Sequence, residues 1–195
     1  MRRRTWGWVT AGAVVVAVAA LVIGVMTWSG GGGTVNTATL REWPVGARPA
    51  APPIAGPLLE GDGDLDVAEL RGNVVVVNVW GSWCGPCRAE TQDLEQVYQE
   101  TRELGVSFVG INIRDRDRDR AIQFTRGRMS YPSIYDPGFA NGLGFHEPPA
   151  PLGPPATLVI DRDGNVAAAF YRVVGKVELA HLVKQVAAEE APPDG

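Results

Sequence analysis

The stretch NVWGSWCGPCRAE, from Asn78 to Glu90, decides the fold of this 195-residue chain, because it connects a buried strand to a helix. It begins inside NVVVVNVW over residues 73–80, an apolar and mostly β-branched run without alternation, which is typical of a strand buried on both faces. After it, apolar residues recur at helical spacing between residues 94 and 104. The stretch therefore predicts a central strand, a turn that contains Cys84 and Cys87, and a helix.

The two cysteines of this turn are the only ones in the chain. The first turn of a helix has unpaired N–H groups and a positive dipole end, which stabilise a thiolate. We therefore expect Cys84 to be an exposed attacking thiol with a pKa below the ordinary value of about 8.5. Cys87, one turn later and more buried, would close the disulfide, while Gly85 and Pro86 keep the pair close together.

Three other roles for the cysteine pair fit the sequence less well. A structural zinc site needs about four ligands, and the histidines His146 and His181 lack a zinc-finger spacing. A structural disulfide across two residues would stabilise little, since the stabilisation grows with loop length. Peroxidatic cysteines follow an upstream Pro and Thr, where this chain has Val77 and Gly81.

Other segments predict an α/β domain in the order β-α-β-α, then β-β-α. Strands are predicted over 106–113, 156–161 and 166–171, and helices over 119–128 and 176–189. The charged run RDRDRDR, Arg114–Arg120, is interpreted as a solvated loop, and residues 130–155 as irregular chain. We expect a central mixed sheet with helices on both faces.

The N-terminal residues 1–28 are predicted to be a transmembrane anchor. Three arginines precede an uncharged apolar segment of about 20 residues, which is long enough to cross a bilayer, with tryptophans at both ends. The arginines predict a cytoplasmic N-terminus and an extracytoplasmic domain. The alternative is a signal peptide that is cleaved to give a secreted protein, although its apolar core is usually shorter.

The remaining chain is predicted to consist of three parts. Residues 29–56 are a Gly- and Pro-rich linker, residues 57–190 the folded domain, and residues 191–195 a disordered tail. Without the three N-terminal arginines, the chain has 15 basic and 22 acidic residues, which argues against nucleic acid as a partner.

The motif and its surroundings resemble the thioredoxin superfamily, and within it the membrane-tethered TlpA/ResA-like thiol-disulfide oxidoreductases. The shared features are WCGPC after a buried strand, the lead-in ELRGNVVVVNVW, YPSIYD at 131–136, the ATLVIDRDG strand and turn after Pro155, and the N-terminal apolar segment. The resemblance covers about residues 57–190 and implies a thioredoxin-like fold.

The resemblance also implies roles for residues around the pair. Pro155 matches the family's cis-proline, and Trp83 matches the aromatic beside the nucleophile. Together with Gly85, Pro86 and Pro154, they would form the substrate groove. Pro154 is a departure, because the family uses the backbone N–H at this position to bind a substrate strand, and proline has none.

Asn78 and Glu90 raise the question of proton transfer. Thioredoxin has a buried aspartate at the position of Asn78, and an amide cannot replace it as a titrating group. Glu90 follows Cys87 by three residues and shares its helix face. ResA-like proteins keep a functional glutamate here, so we expect Glu90 to have a raised pKa and to exchange protons with the cysteine pair.

The sequence thus predicts an extracytoplasmic protein-disulfide oxidoreductase that acts through mixed disulfides at Cys84 and Cys87. The reductase direction is favoured because Gly-Pro between the cysteines is also the pair in thioredoxin. The resemblance suggests cytochrome c maturation as the process. Expected partners are protein thiols and disulfides, a membrane thiol electron donor and the lipid bilayer, with no cofactor or metal. The alternatives are a copper-handling protein that binds Cu(I) through both cysteines and a non-catalytic binding module.

Overall fold

A six-stranded mixed sheet forms the centre of the fold. The structure, a computed structural model, describes residues 39–189. The strands in these residues are β1 (Leu40–Glu42), β2 (Ala55–Pro57), β3 (Asp64–Asp66), β4 (Val74–Trp80), β5 (Val106–Ile113), β6 (Ser133–Asp136), β7 (Ala156–Ile160) and β8 (Val166–Phe170). The sheet has the order β1-β8-β7-β4-β5-β6, and β2 pairs with β3 separately. β4, β5 and β6 run parallel, whereas β7, β8 and β1 join antiparallel.

Within residues 39–189, three α-helices accompany the sheet: α1 (Gly85–Thr101), α2 (Arg118–Thr125) and α3 (Lys176–Ala187). Short 3-10 turns occur at Val67–Leu70, Arg102–Leu104 and Ala140–Gly144. The predicted thioredoxin-like α/β fold with a central mixed sheet is therefore confirmed for the described residues.

The central strand β4 is buried over its whole length, as its run of β-branched residues predicts. Its side chains alternate between two cores: Val74 and Val76 pack with α1 and α3, while Val75 and Val77 face the other side. Asn78 has the same parity as Val76, so it lies on the helix face of the sheet.

The expectation that helices cover both faces of the sheet is wrong. Right-handed connections between the consecutive parallel strands β4, β5 and β6 bring α1 and α2 to the same face. Ala121 of α2 packs with Trp80 and both cysteines on that face. Among the described residues, the core on the other face contains no α-helical residue and is covered by Ile54, by Val67 of the 3-10 turn and by Phe145.

The predicted linker over residues 29–56 needs correction in its second part. Leu40–Glu42 forms strand β1, which pairs antiparallel with β8 at the edge of the sheet. Arg48 is largely buried and forms ion pairs with Asp161 and Glu189. Three residues are too few to show a strand period in the sequence, so the pairing with β8 stabilises a strand that the pattern did not predict.

The segment 130–155 is also more ordered than predicted. Ser133–Asp136 forms β6 and pairs in parallel with β5. The strand has only four residues, between two prolines, and therefore gives a weak sequence signal.

Several predictions fall on residues outside 39–189. These are the transmembrane anchor over residues 1–28, the first part of the linker and the tail over 191–195. Within residues 39–189, no helix is both long enough and apolar enough to cross a membrane.

Candidate functional site

Cys84 and Cys87 form a disulfide at the N-terminus of α1, directly beyond the carboxyl end of β4. Cys84 is the N-cap of the helix, and its sulfur accepts the backbone N–H of Cys87 at 3.1 Å. Pro86 lies in the first turn, where the missing N–H of proline leaves no helical hydrogen bond unmade. The pair therefore lies where the sequence predicts it, at a helix N-terminus that follows a buried strand.

The exposure of the pair differs from the expected one. Cys84 is only 4% exposed and Cys87 only 1%, so the predicted order holds but Cys84 is not an open thiol in the disulfide form. The exposed side chain is Trp83, whose accessible fraction is 47%. Gly85 and Pro86 are exposed as well, and with Trp83 they form the rim around the disulfide.

Asn78 connects β4 to the buried face of α1 through Glu90. Its side-chain amide nitrogen donates to Glu90 Oε1 at 3.0 Å and to Thr157 Oγ1 at 3.1 Å. The other carboxyl oxygen of Glu90 accepts the backbone N–H of Val174 at 3.1 Å. Glu90 is only 1% exposed. The carboxyl group is thus held on the inner side of the helix that begins at the cysteine pair.

The pKa of Glu90 is raised from 4.5 to about 7. The largest cause is burial, which disfavours the ionised carboxylate, and the negative charge of Asp93 acts in the same direction. The hydrogen bonds from Val174 and Asn78 lower the pKa and offset part of this effect. A carboxyl group with this pKa can both accept and release a proton near neutral pH.

Asp115 is buried, so the prediction that it lies in a solvated loop is wrong for this position. It is 4% exposed. Its carboxylate accepts the backbone N–H of Ser82 at 2.7 Å, the hydroxyl of Ser82 at 2.6 Å and the side-chain amide of Asn112 at 2.7 Å. Asp115 therefore fixes the backbone two residues before Cys84. The available signal was its position just after β5, at the same sheet edge as the cysteine motif.

Further contacts fix the turn between β4 and α1. The carbonyl of Ser82 accepts two hydrogen bonds from the guanidinium of Arg88, at 3.1 and 2.7 Å. The Trp83 indole N–H donates to the Ile113 carbonyl at 3.2 Å. A Cβ atom at Gly81 would lie 2.6 Å from this indole nitrogen, so only glycine allows the ring to adopt this position. The Trp83 ring is therefore held in place by the hydrogen bond to Ile113 and by its close packing against Gly81.

Pro154 and Pro155 lie next to the same sheet edge. The peptide bond between them is cis, so the assignment of Pro155 as the cis residue is confirmed. β7 begins directly afterwards, and its first residue, Ala156, is paired with Val79 of β4. Both prolines are half-buried, while Leu152 just before them is 98% exposed. The pairing thus brings Pro154 and Pro155 to the end of β4 that precedes the cysteine turn.

Comparison with known families and proteins agrees with this geometry. The family model described as Redoxin matches residues 47–185. The chain is similar to the thiol-disulfide oxidoreductase ResA of Halalkalibacterium halodurans, with 30% identity over 55% of this chain and 58% of the relative. It is also similar to the thiol:disulfide interchange protein DsbE of Allochromatium vinosum, with 33% identity over 64% of this chain and 61% of the relative. The chain thus matches about three fifths of the length of these curated relatives.

Solved structures give similar matches. A secreted thiol-disulfide isomerase from Corynebacterium glutamicum superposes with a TM-score of 0.73 and 32% identity, over 77% of this chain and 93% of the other. A DsbF homologue from Corynebacterium diphtheriae superposes with a TM-score of 0.69 and 33% identity, over 80% of this chain and 95% of the other. The resemblance to ResA-like proteins that the sequence predicts is therefore confirmed.

Proposed function

The chain belongs to the Redoxin family, and from this premise we propose that it is a thiol-disulfide oxidoreductase of the ResA and DsbE type. The observation that carries the proposal is the Cys84–Cys87 disulfide at the N-terminus of α1, with the carboxyl of Glu90 buried further along the same helix. Thiol-disulfide exchange needs a redox pair, which the two cysteines supply when reduced, and a stabilised thiolate, which the helix N-terminus favours. It also needs a proton acceptor, and the Glu90 carboxyl, with a pKa of about 7, can be that group.

The proposed reaction proceeds in two steps when the pair begins reduced. The Cys84 thiolate attacks a partner disulfide, forms a mixed disulfide and releases one partner thiolate. The Cys87 thiolate then attacks the Cys84 sulfur, re-forms the internal disulfide and releases the second partner thiol. Two electrons and two protons pass to the partner, and no cofactor beyond the cysteine pair takes part.

The second step needs a proton acceptor, because Cys87 attacks only as a thiolate. Glu90 is our candidate. It shares a helix face with Cys87, and its raised pKa suits proton exchange at neutral pH. Asn78 has no titrating group, but its amide donates to Glu90 and orients the carboxyl. We therefore assign Glu90 the proton transfer and Asn78 a positioning role.

The substrate groove in this proposal consists of Trp83, Gly85, Pro86, Pro154 and Pro155. The exposed indole of Trp83 supplies an apolar contact surface beside the disulfide. Pro154 lacks the N–H that would pair with a substrate strand, so docking through this position loses one hydrogen bond. Apolar contacts with Trp83 would then contribute more of the affinity.

The proposed cellular setting follows from the N-terminal sequence and from the relatives. The apolar segment over residues 1–28 would anchor the chain in the membrane, with its first residues in the cytoplasm and the Redoxin domain outside. Cleavage of this segment and secretion is the alternative. A domain that reduces disulfides in an oxidising space needs electrons from inside the cell, so a membrane thiol carrier is the proposed donor. Cytochrome c maturation is the proposed process.

The reductase direction is favoured by Gly85 and Pro86 between the cysteines, since thioredoxin, which has the same pair, has a potential of about −270 mV. Equilibration of the full-length chain with glutathione buffers measures the potential. A value close to that of thioredoxin would support the reductase, whereas a value near about −120 mV would make the chain an oxidant.

Insulin reduction with dithiothreitol as electron source tests the activity itself. We expect the full-length chain to accelerate the reaction and Cys84→Ser to abolish the acceleration. A chain that binds insulin but does not accelerate its reduction would be a binding module instead. The copper-handling alternative has no supporting observation, because the relatives described above are all thiol-disulfide proteins.

A further inference from the structure

Three arginines line an open concavity beside the disulfide. The concavity has a volume of about 490 Å³, and Arg88, Arg120 and Arg128 border it together with Trp83 and Phe124. Neither cysteine lines the concavity, but Ser82 and Trp83, the two residues before Cys84, border it, so a molecule bound there would contact the turn that leads to the attacking cysteine. The three guanidinium groups come from two separate helical regions, α1 and the segment that contains α2 and the residues just after it.

These three arginines keep their positive charge unneutralised. Within residues 39–189, none of them forms an ion pair with a carboxylate. Arg88 instead donates two hydrogen bonds to the Ser82 carbonyl. Arg128 donates to the Phe124 carbonyl at 2.9 Å and lies over the Phe124 ring. Two of the guanidinium groups are therefore held in place by neutral groups, with most of their five N–H donors left over.

Acidic side chains lie near this surface without forming ion pairs with the three arginines within residues 39–189. Asp115 is buried and accepts hydrogen bonds from Ser82 in the concavity wall, and the side chain of Asp117 caps α2 by accepting the backbone N–H of Arg120. Glu95 borders an adjoining concavity with Arg88 and Arg128, but its two carboxyl oxygens already accept hydrogen bonds from Ser130 and Gln99. Asp119 lies in the first turn of α2, does not line the concavity and is exposed. The basic surface stands out because the whole chain has a formal net charge of −4.

We propose that this concavity is a docking site for an acidic segment of the protein whose disulfide exchanges with Cys84. The inference rests on the proposed function, and it adds a substrate class: proteins with Asp or Glu near the reacting cysteine. Guanidinium groups bind carboxylates through paired N–H donors, and an orientation already fixed by the protein lowers the entropy cost of that contact. Trp83 contributes the apolar part of the surface.

The charge on this surface acts mainly on the encounter rate. Complementary charges raise association rates, and the effect falls as ionic strength rises. An acidic substrate should therefore react faster than a neutral one at low salt, and the advantage should disappear at high salt. A neutral substrate should show almost no dependence on these arginines.

The test uses the full-length chain, reduced and kept in a nonionic detergent, with three disulfide-bonded peptides. The peptides differ only in two residues beside the cysteines, which are Asp, Asn or Lys. The variants are Arg120→Gln and the double variant Arg120→Gln/Arg128→Gln. Arg126→Gln is the matched control for the single variant, because it also removes one positive charge, from an exposed position near the end of α2 outside the concavity.

We expect the Asp peptide to react about three- to tenfold faster than the Asn peptide at low salt. The double variant should remove this advantage and leave the rate of the Asn peptide unchanged, while Arg126→Gln should preserve it. Equal rates for the three peptides, or an equal loss in Arg126→Gln, would overturn the docking proposal. Failure of all three peptides to react would instead refute the proposed function.

A lipid surface is the other anionic partner that such a cluster could bind. The same rates are therefore measured in micelles with and without phosphatidylglycerol. If peptide charge has no effect, and phosphatidylglycerol slows the unaltered chain but not the double variant, then the cluster binds lipid and the proposal is wrong. A preference for the Asp peptide that persists without anionic lipid supports the peptide site.

Discussion

The side-chain amide of Asn78 donates to Glu90 Oε1 at 3.0 Å, which links the central strand to the helix that begins at the cysteine pair. This contact puts a neutral amide in the strand and an acid on the helix, where thioredoxin has the acid in the strand. The titrating group therefore lies on the same helix as Cys87, and the amide orients it.

We expect Glu90→Gln to slow the second step of exchange, the attack by Cys87, about tenfold or more near neutral pH, because glutamine cannot accept the thiol proton. Rapid-mixing measurements of mixed-disulfide resolution give the rate, and thiolate absorbance against pH gives the cysteine pKa values. The variant should stay folded, although the Val174 N–H then faces an amide, which costs about 1–2 kcal/mol.

Glu95→Gln serves as the control, because Glu95 lies on the same helix and its hydrogen bonds go to Ser130 and Gln99. Its resolution rate should equal that of the unaltered chain. Unchanged cysteine pKa values and an unchanged resolution rate in Glu90→Gln would remove Glu90 from the mechanism.

The raised pKa of Glu90 also predicts how stability depends on pH. Unfolded, the carboxyl ionises near 4.5, and folded, near about 7, so the folded chain binds more protons between these values. The contribution to stability is fully present below about pH 4.5 and is lost as pH rises through 7. In urea unfolding of the oxidised chain, stability should fall by about 3 kcal/mol more than in Glu90→Gln between pH 4.5 and 8. Parallel pH profiles of the two proteins would contradict the raised pKa.

Asp115→Ala should destabilise the chain by about 3 kcal/mol or more, because it leaves three buried donors from Ser82 and Asn112 without an acceptor. The rate at which Cys84 attacks a disulfide should also fall, since the turn before it loses its anchor. Chemical unfolding and stopped-flow rates, recorded well below the unfolding transition, separate the two effects.

Two further variants define the role of Asp115. Asp115→Asn keeps one acceptor oxygen and should recover most of the rate, whereas the exposed Asp119→Ala should leave the rate unchanged and cost about 0.3–1 kcal/mol. A folded Asp115→Ala protein with the normal Cys84 rate would show that the carboxylate has no influence on the turn.

Arg48→Met should lower the free energy of unfolding by about 2–3 kcal/mol, because it leaves the partly buried carboxylates of Asp161 and Glu189 without their charged hydrogen-bond partner. The matched change Arg41→Met removes an exposed ion pair with Glu147 and should cost less than about 1 kcal/mol. Equal effects of the two changes in urea unfolding would mean that the segment before residue 57 is not part of the folded core.

The elements with a strong sequence pattern, a continuous apolar run or a helical period, were the predictable ones. β4 is a continuous β-branched run and α1 has a clear apolar stripe, so both follow from the sequence together with the cysteine motif. β1 has three residues and β6 has four, which are too few to show a period in the sequence. These strands form because β1 pairs with β8 and β6 pairs with β5.

The candidate site was predictable where a motif or a helix spacing defined it, as for Cys84, Cys87 and Glu90. Asp115 was not, because an alternating charge run has no apolar face to indicate which member is buried. Its burial depends on donors from Ser82 and Asn112, which the chain brings together only after the sheet forms. Polar contacts between residues far apart in the chain leave no local pattern in the sequence.

In the proposed reaction, Cys84 attacks the partner disulfide and Cys87 resolves the mixed disulfide. Incubation of the reduced Cys87→Ser and Cys84→Ser chains with insulin, followed by acid quenching and mass spectrometry, tests it most directly. We predict that Cys87→Ser accumulates a mixed disulfide at Cys84, while Cys84→Ser forms little or none. Faster trapping at Cys87 in the Cys84→Ser chain, or no mixed disulfide in either chain, would contradict it.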